Sequence, residues 1–352
     1  MLDGCRCIAD FNDGGSAHSI PTLMDGDSRS TLTGSCGITD DTIFTMKTIA
    51  VIALALSTTF TLPVPAPAQA PAQQPQPEFV KQGQQLIREG KLQEALGLYR
   101  RTLQASPDSL PALIATGSVL DLMGRGDEAR KYFSRAIEVA GAPDGKAAAQ
   151  RAMAMSYAFE RDCKETLDYE RQVFDFYGSV KNFFQQGEIA DEAARVCIDS
   201  GDLESAQKWY KIGHDAGLEE PDIEPGRQDL WNFRWEHAQA RIAVRRGDQG
   251  EAQKHVAAAK AILDKGTIPE QAQFFPYLKS YVAFYGGDFK TALDELNKAN
   301  QNDSFIQCLI GETYENLGEK EKSTEHYRKA SGASSHNPPA AYAVPFARKK
   351  LS

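Results

Sequence analysis

Positive charge is the first thing this sequence is short of. Its 39 Lys and Arg stand against 48 Asp and Glu, a formal net charge of -9. A nucleic-acid binder needs a basic stripe to neutralise phosphates, so nucleic acid is not an expected partner. Cysteine is sparse and poorly spaced for metal. Cys5, Cys7 and Cys36 lie in a Gly/Ser/Asp-rich leader, while Cys163, Cys197 and Cys308 are far apart and without a C-x-x-C step. Zinc needs clustered soft ligands, which this pattern does not supply. Single buried thiols are the expected state of the last three. A Cys163–Cys197 disulfide stays open as the alternative for an oxidising compartment. His214, His237, His255 and His326 never stand four apart, so no helical metal pair forms. The chain also lacks a G-x-S-x-G elbow, a Gly-Lys-Ser/Thr phosphate loop and a G-x-G-x-x-G fingerprint. With no nucleophile, base and orienting group in view, neither enzyme activity nor a cofactor is expected.

Long apolar runs are scarce too. One extends from Ile49 through Leu56 to Phe60, behind Met46-Lys47-Thr48. It is too short to span a bilayer comfortably, and its cationic start and small-residue exit read as a secretory signal. Ala66 and Ala68, or Ala70 and Ala72, suit cleavage, although Pro71 disfavours a cut directly after Ala70. The expected organisation is a disordered leader at 1–45 upstream of the true start, a signal peptide at 46–72 and a Pro-rich linker at 73–77. The folded part then spans 78–351. An uncleaved membrane anchor is the rival reading; a lipoprotein anchor has no attachment point, because no Cys follows the run. The mature chain is expected to be periplasmic or secreted, with no stable membrane span after signal removal.

What is present is a repeat. Gly83, Gly90, Ala95 and Tyr99 recur 34 residues later as Gly117, Gly124, Ala129 and Phe133. Each type has a physical job. Gly83 and Gly117 allow two helices to approach closely, and Gly90 and Gly124 end the first helix with positive φ. Ala95 and Ala129 are small interhelical contacts, Tyr99 and Phe133 fill the volume between neighbouring pairs, and Pro107 stands just past the second helix. Further units begin near Ala147, Gly187, Phe233, Gln273 and Ser304. The stretch 145–185 is the weakest, and Pro221, Pro225 and Gly226 mark the longest insertion. The amphipathic segment Ala340–Leu351, ending in Arg348-Lys349-Lys350, suits a terminal capping helix.

These marks resemble the tetratricopeptide repeat, a helix–turn–helix unit of 34 residues. The resemblance implies an all-α, right-handed solenoid of about seven hairpins that binds protein or peptide segments, most simply as an exported scaffold. It also implies that the first helix of each pair lines a concave groove. Carried onto this chain, that face holds Arg234, His237, Arg241 and Arg245, followed by Phe274, Tyr277, Tyr281, Phe284, Tyr285 and Phe305. Arg would pair with carboxylates and the aromatic rings would grip apolar side chains. Sugar rings are the alternative cargo, giving a glycan or cell-wall fragment binder; filling of the helix-pair core is the plain account of any single ring. Val80, Gln84, Ile87, Ser118 and Asp121 present nothing distinctive on the same face. The Lys/Asn carboxylate clamp of chaperone-binding members is missing, because Val80 and Gln84 occupy its positions. Arg125-Gly126-Asp127 and Arg246-Gly247-Asp248 spell an adhesion tripeptide but fall where a turn between paired helices is expected. Glu188, Asp191 and Glu192 read as a solvated helix start. Oligomeric state is not addressed by these patterns.

Overall fold

A computed structural model describes residues 76–352, so the expected leader and signal peptide, and all but the end of the linker, lie outside the described residues. Within that span the chain forms fifteen α-helices and no strand. The first two hairpins are α1 (Glu78–Arg88) with α2 (Leu92–Ala105), and α3 (Leu110–Leu122) with α4 (Gly126–Val139). The next two have longer helices: α5 (Pro143–Phe159) with α6 (Cys163–Ser179), and α7 (Phe183–Ser200) with α8 (Leu203–Leu218). After the Pro-marked insertion come α9 (Pro225–Arg245) and α10 (Gln249–Leu263). A 3-10 turn (Pro269–Phe274) leads into α11 (Phe275–Tyr285) and α12 (Phe289–Leu296), followed by α13 (Ser304–Asn316) and α14 (Lys320–Ser331). Helix α15 (Pro338–Leu351) ends the chain.

The repeat marks do what their chemistry requires. In six of the seven hairpins a glycine of positive φ ends the first helix, from Gly90 to Gly318. In the third hairpin Arg161 takes that conformation, at φ 61°. A residue with a Cβ is disfavoured there, which is why 145–185 looks weak as sequence. Asp162, Asp202, Asp248 and Asp288 follow these turns and accept a backbone N–H from three residues on, capping the second helix. Arg246-Gly247-Asp248 is one such turn. Arg125-Gly126-Asp127 sits two residues later, because Gly124 is the positive-φ residue and Gly126 already begins α4.

The aromatic mark lies on the glycine mark of its own hairpin. A Cβ on Gly83 would stand 2.0 Å from the Tyr99 hydroxyl, and one on Gly117 would stand 2.5 Å from the Phe133 ring. Ala95 and Ala129 are fully buried beside them. Tyr99 and Phe133 therefore seal each hairpin internally and do not chiefly fill the space between pairs.

Cys163 and Cys197 are joined, with Cα atoms 4.9 Å apart, tying the start of α6 to the last turns of α7. Single buried thiols are thus the state of Cys308 alone among these three. Helix α15 does more than cap. It packs on α14 and α13 and also on α5 and α7, so it lies across the inner face that the first helices line. Arg348 donates to the carbonyl of Leu122, and His336, just before α15, lies 2.8 Å from an Asp121 oxygen. Ser156 donates to the other Asp121 oxygen at 2.9 Å, so this buried carboxylate is fully engaged.

Candidate functional site

The inner face divides into a filled half and an open half. The filled half contains the Arg and aromatic residues expected to form a groove. Arg234, His237, Arg241 and Arg245 come from α9; Phe274 ends the 3-10 turn; Tyr277, Tyr281, Phe284 and Tyr285 lie on α11, and Phe305 on α13. The structure brings most of them into one stack. Tyr277 lies 5.5 Å from His237 and 6.0 Å from both Tyr281 and Phe305, measured between ring centres. Arg241 donates to the Tyr210 hydroxyl at 2.7 Å, and Arg245 donates to Tyr281 at 3.1 Å while covering the Tyr285 ring at 4.6 Å. Arg234 pairs with Glu188 of α7. Phe284 packs on Tyr285 and Phe289, and Phe274 is buried with the same cluster's neighbours.

These residues are interior. Apart from Arg245 and Tyr285, which are half-buried, all ten are buried. Tyr342 of α15 closes over Phe305 at 4.9 Å. An accessible Arg–aromatic groove is therefore not what these side chains make. The guanidinium faces are spent on neighbouring rings, as cation–π partners, and the chain's own last helix takes the space a ligand would need. Burial, with Arg241 and Arg195 adding to it, pushes the His237 imidazole well below its ordinary range, so it is neutral at pH 7.

The open half lies over α3, α5 and α7, in the stretch where the repeat pattern is weakest. It is a chamber of about 490 Å³, roofed by residues 335–339, which lead into and begin α15. One wall is small and apolar: Ile114, Ala147, Ala148, Ala152 and Met155. The opposite wall is the inner face of α7, carrying Glu188, Asp191, Glu192 and Arg195 at i, i+3, i+4 and i+7. That spacing puts all four on one side of a helix, and here that side faces inward. The expected solvated helix start is corrected accordingly. Asp191 is 5% exposed, and the side chains of Glu188 and Glu192 are 13% and 8% exposed.

The charges are partly compensated. Arg151 pairs with Glu192, and Arg234 with Glu188. Asp191 stands 3.9 Å from Arg234, and its Oδ2 is buried without a hydrogen bond. Burial pushes its pKa up to about 7; Arg234 pulls it down and Glu188 pushes it further up. Behind the chamber Glu170 is wholly buried, and burial reinforced by Glu192 raises its pKa well above the usual range. Tyr210, also on the wall, is pushed up to about 12 by burial. The wall can accept donors from an incoming polar group, and the opposite wall can take an aliphatic chain.

Sequence reasoning missed the α7 acids, Asp121 and His336. The helical spacing of the acids was visible; which face of α7 points inward was not. Asp121 stood on an inner position but was passed over because its partners, Ser156 and His336, are 35 and 215 residues away.

Tetratricopeptide-repeat family models match residues 86–154 and residues 306–337. Among curated proteins none matches the chain significantly. Among solved structures, a tetratricopeptide repeat protein from Parabacteroides merdae is 12% identical, over 77% of this chain and 98% of that one, with a TM-score of 0.44. The apo form of RapI is 11% identical, over 78% and 97%, with a TM-score of 0.49. A Rap protein complexed with competence and sporulation factor is 13% identical, over 78% and 74%, with a TM-score of 0.47. The repeat marks, the seven hairpins built on them and the family matches near both ends of the array agree: the chain carries tetratricopeptide repeats.

Proposed function

We propose that this protein is an exported, non-catalytic interaction scaffold that takes a segment of another protein into the chamber over α3, α5 and α7. The observation that carries the reading is the chamber itself: about 490 Å³ of space on the concave side, where the remainder of that side is occupied by α15 and the Arg–aromatic stack. A volume of this size holds a few residues of an extended chain. Small alanines on α5 let a peptide backbone come close, and the charged wall of α7 fixes its orientation. Export is supported by the N-terminal sequence pattern and by the Cys163–Cys197 bridge, since disulfides persist in oxidising compartments.

The non-catalytic reading rests on how the polar groups are committed. Ser156 and His336 both bind Asp121, so the imidazole does not stand behind the hydroxyl as a base. The glycan alternative loses its carrier, because the aromatic strip it relied on is buried among its own helices.

Site-specific photo-crosslinking in the native host tests the proposal. A benzoyl-phenylalanine at Tyr177, a half-buried chamber residue, should capture a defined partner segment. The same group at exposed Lys131, on the second helix of hairpin two, should not. Equal capture from both positions, or capture unaffected when Ala148→Trp fills the chamber, would count against it.

A further inference from the structure

We infer that the chamber recognises a protonated amine on its peptide ligand, held by the carboxylates of Glu188, Asp191 and Glu192. This deepens the proposed function and rests on it. An ammonium carries three donors and no acceptor, and these acids present three carboxylates within one turn of α7 on the chamber wall. Asp191 points to a ligand independently of that clustering: it is 5% exposed, it lines the chamber, and its Oδ2 has no hydrogen-bond donor. Such a buried acceptor is unfavourable until a donor arrives. Its nearest cation, Arg234, is engaged with Glu188 and stands 3.9 Å away. Arg151 is held by Glu192, the other flanking acid. A small ammonium entering between those pairs meets three carboxylate groups, two of them already paired with Arg151 and Arg234. The alkyl part attached to it faces Ala148 and Met155 on the opposite wall.

The amine can come from a peptide N-terminus or from a lysine side chain, and four probes separate these sources. They are Ala-Ala-Ala-amide, acetyl-Ala-Lys-Ala-amide, acetyl-Ala-Ala-Ala-amide and acetyl-Ala-Glu-Ala-amide. Binding to the purified chain is measured by NMR titration and calorimetry at pH 7.5. At least one cationic probe should bind ten or more times tighter than the neutral one, and the acidic probe should bind weakest. Asp191→Asn, nearly the same shape, should remove that tenfold preference while circular dichroism stays unchanged. A neutral or acidic probe that binds as tightly as the cationic ones overturns the inference, as does an unchanged preference in Asp191→Asn. If all four probes bind alike and Ala148→Trp abolishes them together, the chamber reading stands and only the amine falls. If none binds and Ala148→Trp leaves crosslinking from Tyr177 intact, both fall.

Discussion

Reducing the Cys163–Cys197 bridge should loosen the middle of the array and little else. The bridge closes a loop spanning 34 residues, and loop-closure entropy at that length corresponds to roughly 3–4 kcal/mol. In a repeat protein each hairpin contacts mainly its neighbours, so the loss should stay near the third and fourth hairpins. Reductant isolates the bond without altering packing. Cys163→Ala with Cys197→Ala then serves as the control that no longer responds to it. Alanine is preferred to serine because both positions are buried, and a lone hydroxyl there would add its own penalty. Native-state hydrogen exchange read by mass spectrometry gives the resolution required. Amides of α6 and α7 should lose about two to three orders of magnitude in protection, since each 1.4 kcal/mol is a factor of ten. Amides of α1–α2 and α13–α14 should change far less. Alkylation of both cysteines in the unfolded, unreduced protein would refute the argument at its base. A uniform loss across all hairpins would refute its near-neighbour part.

Other expectations follow from named residues. Asp191 and Glu312 have folded pKa values raised to about 7, chiefly by burial, so the folded state holds more protons than the unfolded one between about pH 4 and 7. The contribution of these two groups to stability should therefore fall as pH rises through that window, against an opposite contribution from His237, which the fold holds neutral. Asp191 faces Glu188, Arg234 and Arg241, and Asp191→Asn should flatten part of the slope in thermal melts. A pH slope that is the same in Asp191→Asn as in the parent would contradict this. Gly117→Ala places a Cβ 2.5 Å from the buried Phe133 ring and should cost about 1–3 kcal/mol in urea denaturation, whereas a neutral result would mean the ring moves freely. Arg161→Gly should relieve roughly 1–2 kcal/mol of positive-φ strain. It also removes a guanidinium lying 4.5 Å over Tyr342 and 5.4 Å over Phe346 of α15. Faster exchange of α15 amides without a gain in overall stability would be the expected signature; slower exchange there would exclude that anchoring role.

The hairpins were legible because each mark answers a steric demand: a glycine under a ring, an alanine between helices, a positive-φ turn before an aspartate cap. Where one demand was met unconventionally, at Arg161, the pattern faded although the hairpin did not. The inner position of the Arg–aromatic residues was also readable from repeat register. Their closure was not, because nothing in the composition of 338–351 says that Tyr342 will meet Phe305. Glu188, Asp191 and Glu192 illustrate the opposite error, since charge suggested solvent while the fold placed them around a cavity. Acidic spacing identifies a shared helix face, and only packing says where that face points.

The position of α15 has a consequence for how the molecule comes into being. Arrays of this kind acquire structure piecewise, since each unit waits only for the next. Here His336 reaches Asp121 across 215 residues and Arg348 reaches Leu122 across 226, so the second and third hairpins cannot finish their inner surface until the last residues have emerged. Long-range closure of that kind raises contact order and slows the final step. Until that closure the carboxylate of Asp121 lacks one of its two partners. The last helix thus converts an open-ended stack into a molecule with a definite moment of completion.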